Sequence, residues 1–261
     1  MDQKEHESAR DVAVRLHEAA YEELPELARR YQDDSRKQVQ AAVRRAQRRW
    51  EHERAERERV AGMYALQREL GGPGIVIGVD EVGRGALAGP LTVGAVALPE
   101  DPMIWGLNDS KQLTPERREV LAAEIADVAL AIGIAHVPPE TIDAVGMGNA
   151  LRFAMAEAIQ NAGIEPDCVL IDGNPIHAHP KEKTLVKGDA RIAAIAAASI
   201  VAKVTRDHLM VELSKEYPAY GWDQCKGYGS KEHIEAIKVH GLTPYHRVSF
   251  CGHFVEGNTL F

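Results

Sequence analysis

The sequence predicts an α/β domain in which helices flank a mixed β-sheet, preceded by a helical amino-terminal extension. Residues 1–73 show helical periodicity and dense charge without a strand pattern. From residue 74 onward, short apolar segments alternate with helix-like segments. The helix breaker Gly71-Gly72-Pro73-Gly74 separates the two regions. We therefore assign residues 1–73 to a charged helical extension and residues 74–261 to the main domain.

The composition is typical of a soluble protein that is not exported. The chain has 261 residues, of which 45% are hydrophobic, enough for a sizeable core. Its three cysteines lack a C-x-x-C pair, which argues against a disulfide framework or a zinc knuckle and favours a reducing compartment. The Met1–Glu7 segment is polar, unlike a signal peptide, and no apolar run reaches the roughly 20 residues that span a bilayer. We expect a cytoplasmic monomer without a membrane partner.

The distribution of charge leaves room for a polyanionic partner. A net charge of −8 argues against a general nucleic-acid binder if it is considered alone. Residues 1–73 contain 15 acids and 15 bases, so the remaining residues carry the whole deficit, with 24 acids against 16 bases. An acidic domain can still bind a polyanion if its carboxylates cluster on divalent cations.

The extension contains one apolar stripe and one basic stretch. Val39, Val43, Ala46 and Trp50 share one face of a helix predicted over 35–59. Between residues 29 and 49 there are eight bases and two acids. Two interpretations stay open: an arm that holds nucleic acid, or a solvated helix that packs on the main domain or on a partner.

Four acidic residues lie next to predicted elements of the main domain. Asp80 and Glu81 follow the first strand, Asp172 follows the fourth, and Asp189 precedes a long helix, where it could serve as an N-cap. If the first and fourth strands are adjacent and parallel, Asp80 and Asp172 lie side by side at the carboxyl edge of the sheet. The predicted strands are 75–79, 91–98, 130–137, 168–171 and 184–186. One predicted helix begins at residue 114, and three others cover residues 147–162, 190–215 and 231–240.

Together these four carboxylates could hold divalent metal ions. Oxygen ligands without histidine or cysteine suit Mg²⁺ or Mn²⁺, and magnesium commonly also takes phosphate oxygens of a substrate. Two such ions can activate a water and stabilise the leaving oxygen, as phosphodiester hydrolysis requires. Spacing alone leaves a plainer alternative open, in which Asp80 and Glu81 only begin a solvated turn and Asp189 only caps a helix.

Seven motifs follow one another from about residue 74 to residue 252. They are Gly78–Gly85, Leu107–Lys111, Val169–Gly173, Val186–Asp189, Ala197–Asp207, Lys226–Gly229 and His246–Phe250. Together and in this order they resemble bacterial ribonuclease HII. Arg84 in the middle of the glycine motif favours this class over ribonuclease HIII, where threonine is typical.

The resemblance implies a ribonuclease H-like fold and a two-metal endoribonuclease that uses Mg²⁺ or Mn²⁺. It implies that Asp80, Glu81, Asp172 and Asp189 are the catalytic, metal-binding carboxylates. The implied substrates are RNA–DNA hybrids and duplex DNA with a single embedded ribonucleotide, which would be nicked on its 5′ side to leave a 3′-hydroxyl and a 5′-phosphate. Ribonucleotide removal from DNA would be the biological role.

The resemblance also implies how the substrate is recognised. The Gly83-Arg84-Gly85 motif would contact the 2′-hydroxyl, the group that distinguishes RNA from DNA, through its main chain. Tyr228, in the carboxyl-terminal helix-and-loop region, would pack on the deoxyribose that follows the ribonucleotide. Further phosphate contacts are expected from basic and hydroxyl side chains, namely Ser110, Lys111, Lys203 and Arg206.

Two alternatives belong to other functional classes. One is a binding module for hybrids that has kept the fold and lost the chemistry, which the four intact carboxylates disfavour. The other is a different nuclease of the ribonuclease H-like superfamily, such as a junction-cleaving enzyme. The glycine motif and Tyr228 disfavour it, because only an enzyme that recognises a 2′-hydroxyl needs both. A protein partner that recruits the enzyme to DNA is not identifiable from the sequence.

Overall fold

The computed structural model describes residues 7–254, so residues 1–6 of the polar amino terminus and residues 255–261 lie outside the description. The chain divides into two compact units, one up to Ala61 and one from Gly62 onward. Over residues 7–254, no helix is both long enough and apolar enough to cross a bilayer.

The first unit is built from helices α1 (Ala9–Glu18), α2 (Leu24–Arg30) and the first part of α3 (Lys37–Gly71). The predicted stripe on α3 is buried, and Val39, Val43 and Ala46 share one core with residues of α1 and α2. Trp50 continues the stripe and stacks on Tyr21, with 6.3 Å between the ring centroids. The partner of the stripe therefore lies in the same unit.

The end of α3 belongs to the second unit. The hydroxyl of Tyr64 accepts a hydrogen bond from the main-chain N–H of Ile104 at 3.1 Å. The side-chain oxygen of Gln67 accepts one from the N–H of Ala194 at 2.8 Å. The helix itself ends at Gly71, at the predicted breaker.

The second unit contains a five-stranded mixed sheet with the strand order β3-β2-β1-β4-β5, which confirms the predicted fold class. Strands β1, β2 and β3 form an antiparallel meander, whereas β4 and β5 run parallel to β1. The strands are β1 Val76–Val82, β2 Leu91–Ala97, β3 Ala131–Val137, β4 Cys168–Asp172 and β5 Glu182–Leu185. The helices are α4 Pro115–Val128, α5 Pro139–Val145, α6 Met147–Asn161, α7 Ala193–Glu216, α8 Trp222–Cys225, α9 Lys231–His240 and α10 Val248–Cys251.

Helices α6 and α7 cover opposite faces of the sheet. Side chains alternate along a strand, so Ile77 and Val79 face the core that contains α6, whereas Val76 faces the core that contains the start of α7. Helix α7 lies very close to β1, because a Cβ atom added at Gly78 would clash with the main chain of Ala194. Close packing of α7 on β1 determines what surrounds the acidic end of that strand.

Three local predictions differ from the structure. Asp80 and Glu81 lie inside β1, because pairing with β2 continues to Val82. Asp189 does not cap α7: that helix begins at Ala193, and Asp189 lies in a separate 3₁₀ turn, Gly188–Ala190. The short helices α5, α8 and α10 are additions, α8 within a segment predicted as a loop.

Candidate active site

Two strands, β1 and β4, and the 3₁₀ turn after β5 bring the predicted carboxylates to one edge of the sheet. Strands β1 and β4 are parallel and adjacent, with Val79 opposite Ile171, so the next residues along the two strands are Asp80 and Asp172. Strand alternation places both on the face covered by α7. Asp189 follows β5 in its 3₁₀ turn, and Glu81 follows Asp80. The adjacency expected for Asp80 and Asp172 is therefore present.

Hydrogen bonds orient two of these carboxylates. One oxygen of Asp172 accepts the main-chain N–H of Gly188 at 2.6 Å, which ties β4 to the turn that carries Asp189. The Asp80 carboxylate accepts the main-chain N–H of Glu81 at 2.8 Å, and the neighbouring hydroxyl of Ser199 on α7 lowers its pKa through a side-chain hydrogen bond. Ser199 is in turn bonded to the buried hydroxyl of Ser110, with 2.9 Å between the oxygens. A chain of two serines thus supports Asp80 from inside the protein.

Burial and mutual repulsion dominate the electrostatics of the site. Asp80 is 4% exposed, and burial, followed by the neighbouring charges of Glu81 and Asp172, raises its pKa well above the usual range. Burial also raises the pKa of Glu81, although the Arg84 guanidinium opposes this effect. The pKa of Asp189 is raised by burial and then by Asp109 and Asp172. The site therefore favours ligands that bring positive charge.

Two cations reach these carboxylates from the solvent side. The Lys111 ammonium lies 3.8 Å from Asp189 and 3.7 Å from Asp109. Burial alone would lower its pKa, but the surrounding carboxylates, Asp109 first, raise it. The Arg84 guanidinium lies 3.7 Å from Glu81. The Lys111 and Arg84 side chains are 76% and 63% exposed, which leaves them free to turn toward a polyanion.

The donor set fits a hard divalent cation that keeps part of its water shell. Within residues 7–254, no three carboxylate, imidazole or thiol groups are close enough to enclose an ion by themselves. The four carboxylates are nevertheless neighbours, since, besides burial, the charge of Asp172 raises the pKa of Asp80, Glu81 and Asp189. Ionised carboxylates repel one another, and magnesium commonly binds through only one or two of them with water and substrate oxygens. The oxygen-only chemistry suits Mg²⁺ or Mn²⁺ at Asp80, Glu81, Asp172 and Asp189.

The two glycines of the Gly83-Arg84-Gly85 motif differ in whether the fold of the protein needs a glycine at that position. Gly83 has φ +86°, and a Cβ atom added there would clash with the side chain of Arg206. A Cβ atom added at Gly85 would meet nothing within 4 Å. Gly83 is thus required by the protein itself, whereas the open space beside Gly85 is available to a ligand.

Tyr228 lies beside this motif. Its hydroxyl accepts a hydrogen bond from the main-chain N–H of Gly83 at 3.1 Å. Its ring lies near two cations, with the Arg206 guanidinium carbon 5.4 Å and the Lys203 ammonium 5.8 Å from the ring centroid. Lys203 also donates to Asp207 at 2.8 Å, and its side chain is 17% exposed, which makes a direct phosphate contact less accessible than one from Lys111.

A buried histidine pair supports the main chain at Tyr228. His233 donates from Nδ1 to the Tyr228 carbonyl at 2.9 Å, because its Nε2 accepts the indole N–H of Trp222 at 3.0 Å. His246 then donates from Nε2 to His233 at 3.2 Å and accepts the N–H of Thr243 at its Nδ1 atom. The tautomers follow from this network, and both rings are neutral in it.

The structure corrects the prediction for Arg206 and reveals supporting residues that were missed. Arg206 is fully buried and donates to three main-chain carbonyls, so it is not a surface phosphate contact. Ser199 and Arg247 lie within two of the seven motifs, but the sequence analysis predicts no function for either side chain. The signal for Ser199 is a hydroxyl in an otherwise apolar helical run, whereas nothing around Arg247 in the sequence indicates its burial.

Comparison with known proteins identifies the family. The family model for ribonuclease HII matches residues 77–253. The chain belongs to the ribonuclease HII family. It is a hydrolase of the nuclease class, and a second model, the ribonuclease HII N-terminal domain, matches residues 8–71. These matches confirm the resemblance on which the sequence interpretation relied.

Relatives and solved structures agree with this assignment. Ribonuclease HII of Bacillus mycoides is 44% identical over 220 residues, which are 84% of this chain and 86% of the relative. Ribonuclease H2 of Pyrococcus horikoshii is 28% identical, with a TM-score of 0.59 over 70% of this chain and 100% of that structure. Ribonuclease HII of Archaeoglobus fulgidus, solved in complex with PCNA, is 26% identical, with a TM-score of 0.57 over 67% of this chain and 94% of that one.

Proposed function

We propose that this ribonuclease HII family member hydrolyses RNA in RNA–DNA hybrids and nicks duplex DNA on the 5′ side of a single embedded ribonucleotide. The products would carry a 3′-hydroxyl and a 5′-phosphate. The observation that carries the proposal is the position of Gly85: a main-chain segment with open space beside it lies four residues beyond Glu81, next to the carboxylate edge. A sugar hydroxyl could approach the main chain there without meeting a side chain.

In this proposal Asp80, Glu81, Asp172 and Asp189 hold the metal. A bound Mg²⁺ or Mn²⁺ would supply an activated water and would stabilise charge on the leaving oxygen. The Glu81 N–H and Ser199 would hold the Asp80 carboxylate, and the Gly188 N–H would hold that of Asp172, so that their oxygens need not reorganise when the substrate binds. The raised pKa of the buried Asp80 carboxyl makes cation binding the natural way to keep it ionised.

The remaining residues would bind and orient the substrate. Lys111, the most exposed base at the edge, would move from Asp189 toward the scissile phosphate. The main chain of Gly83-Arg84-Gly85 would contact the 2′-hydroxyl, and the Tyr228 ring would pack on the next sugar. Ser110 is buried against Ser199 and would act by supporting Asp80 rather than by touching phosphate.

The test is cleavage of a DNA duplex that contains one internal ribonucleotide, in Mg²⁺ or Mn²⁺ and with a chelator as the control. An all-DNA duplex of the same sequence serves as the matched substrate without the 2′-hydroxyl. We expect one metal-dependent nick, mapped to the 5′ side of the ribonucleotide, and no cut in the all-DNA duplex. Binding without a cut in either metal would instead favour a non-catalytic module, and a cut that ignores the ribonucleotide would favour another nuclease of the superfamily.

A further inference from the structure

Two fully buried arginines hold the main chain beside the carboxylate edge. We call residues 83–90 the glycine loop and residues 226–230 the tyrosine loop. Arg206 on α7 donates to the carbonyls of Pro90 at 2.9 Å, Ala88 at 3.0 Å and Lys226 at 2.8 Å. Arg247 donates to the carbonyl of Gly89 at 2.9 and 3.1 Å and to that of Arg84 at 3.0 Å. The two guanidinium groups thus hold both ends of the glycine loop and the start of the tyrosine loop.

Main-chain hydrogen bonds join the two loops directly. The N–H groups of Leu87 and Ala88 both donate to the Gly227 carbonyl, at 2.8 and 3.1 Å. Gly227 has φ +79°, and a Cβ atom added there would clash with the Ala88 carbonyl. Because Gly83 is packed equally closely on Arg206, the loops and the arginines fit together with little room for adjustment.

Neither arginine has an ion-pair partner within 4.0 Å in the part of the chain that the structure describes. A buried charge without a carboxylate is costly, and apolar residues of similar size often give equal or greater stability. What a guanidinium provides instead is a rigid, planar set of donors that fixes several carbonyls at once. The arrangement therefore specifies a loop conformation more than it contributes stability.

We infer that Arg206 and Arg247 are positioning residues that hold Gly83-Arg84-Gly85 in place against Tyr228, and that they thereby set the preference of the enzyme for ribose over deoxyribose at the cleaved junction. This inference rests on the proposed function. The Arg84 carbonyl, in the middle of the motif, is bonded to Arg247, so a shift of that guanidinium would move the main chain that faces the substrate. A displacement of about 1 Å at such a site can cost on the order of 100-fold in rate.

The test uses Arg247→Lys and Arg206→Lys in the full chain. Lysine keeps the positive charge but has one nitrogen, which cannot span carbonyls as a guanidinium does. Ile237→Val is the matched control, because Ile237 is buried in the neighbouring core and makes no side-chain hydrogen bond. Each change is also placed in an Asp80→Asn background, so that binding to a single-ribonucleotide duplex and to the matching all-DNA duplex can be compared without cleavage.

We expect each lysine variant to lower the ribose preference, the ratio of the two dissociation constants, by about five- to tenfold, the value of one hydrogen bond to the 2′-hydroxyl. Ile237→Val should leave that ratio unchanged even if it lowers the melting temperature. An unchanged ratio in the folded lysine variants, with wild-type protein nicking 5′ of the ribonucleotide, would overturn the inference and leave the proposed function intact. If the wild-type protein fails to nick there, the proposed function fails first. Arg206 and Arg247 lie on different segments, so a folding defect in one variant leaves the other as the test.

Discussion

The main-chain N–H of Gly83 donates to the hydroxyl of Tyr228 at 3.1 Å, although the two residues are 145 positions apart in the chain. The motif proposed to contact the 2′-hydroxyl and the ring proposed to pack on the next sugar are therefore one connected surface. Its other neighbour is the acidic end of β1, which directly precedes Gly83. Recognition of a ribose and cleavage beside it would then take place on a single, fixed piece of main chain.

The first prediction separates the two glycines. Gly85→Ala should leave the free energy of unfolding within about 0.5–1 kcal/mol of wild type, because the added methyl group meets open space. It should nevertheless weaken cleavage at a ribonucleotide strongly, because the methyl group would stand where the sugar approaches. Gly83→Ala should instead destabilise the fold by about 1–3 kcal/mol, through its positive φ and the clash with Arg206.

Urea unfolding and cleavage assays on the same two preparations check this prediction. Full activity in Gly85→Ala would mean that the substrate does not approach the main chain at this point. A stable Gly83→Ala variant would show that Arg206 can move aside.

The second prediction concerns Tyr228. Tyr228→Ala should reduce kcat/KM on a duplex with one ribonucleotide more than on a long hybrid, because only the former depends on a deoxyribose next to the ribose. Tyr228→Phe keeps the ring and removes only the acceptor for the Gly83 N–H. We expect it to have a smaller effect, on the order of fivefold, the value of one hydrogen bond at about 1 kcal/mol. Equal losses on both substrates in Tyr228→Ala would argue against a junction role.

The third prediction concerns Asp80. Asp80→Asn keeps the shape of the side chain and can still accept from Ser199, but it removes a charge from the proposed metal site. Cleavage should fall by on the order of 1000-fold or more, whereas substrate binding should be largely retained. Calorimetric titration with Mn²⁺ gives a second measurement that does not depend on turnover, and it should show weaker metal binding. Ser199→Ala is the companion variant, with an intermediate loss expected because it only orients the carboxylate.

Much of this site could be predicted from the sequence because its ingredients are local. Apolar runs that end in acids predicted β1 and β4, and the rule that ligands gather at the carboxyl ends of parallel strands placed Asp80 beside Asp172. The roles of Arg206 and Arg247 could not be predicted in the same way. Arginine is usually exposed, and which carbonyls need a donor is decided only when Ala88, Gly89 and Lys226 come together in the fold.

The end of β1 is another feature that the local sequence does not predict. Two charged residues after an apolar run suggested that the strand had finished, yet pairing continues through Glu81 opposite Val93. Tertiary pairing with β2 overrides the local preference. The start of α7 is a second example: the Gly188 N–H donates to Asp172, 16 positions earlier in the chain, within the separate turn Gly188–Ala190, and α7 begins only at Ala193 rather than at about residue 190.

The fourth prediction is a pH dependence of stability that originates in His246. Burial, with a contribution from His233, lowers the pKa of His246 from 6.5 to about 4. The titratable neighbours that face the ring are His233 and Tyr220. Because the folded pKa lies below the unfolded one, the unfolded chain takes up the proton first as pH falls. Stability is therefore complete above about pH 6.5 and is lost progressively toward pH 4.

Between pH 7.5 and pH 5, protonation linked to His246 should lower the free energy of unfolding by about 1–2 kcal/mol. Urea midpoints at the two pH values measure it. His246→Asn can still accept the Thr243 N–H and cannot titrate, so it should be less stable than wild type at pH 7.5 and lose less on acidification. If both proteins lose the same stability, other groups account for the acid sensitivity.

The last prediction concerns the basic face of α3. Arg44, Arg45 and Arg48 are exposed, and among residues 7–254 none of them takes part in an ion pair, whereas Arg54, Arg57 and Arg59 pair with Glu58, Glu22 and Glu56. The apolar stripe of α3 is already buried within the first unit, so packing does not account for the unpaired bases. If they contact phosphates, each contact releases counterions and adds about one unit to the slope of log affinity against log salt.

Changing all three unpaired arginines to glutamine should therefore flatten that slope by about 2–3 units while kcat at saturating substrate stays the same. The matched control replaces Arg54, Arg57 and Arg59 with glutamine, which removes the same formal charge from the same helix. If general electrostatics alone attract the substrate, both triple variants should flatten the slope equally. A flatter slope confined to the first variant would identify this face of α3 as a phosphate-binding surface. Substitution in the full chain is preferable to deletion, because the end of α3 is part of the second unit, where Tyr64 and Gln67 accept hydrogen bonds from Ile104 and Ala194.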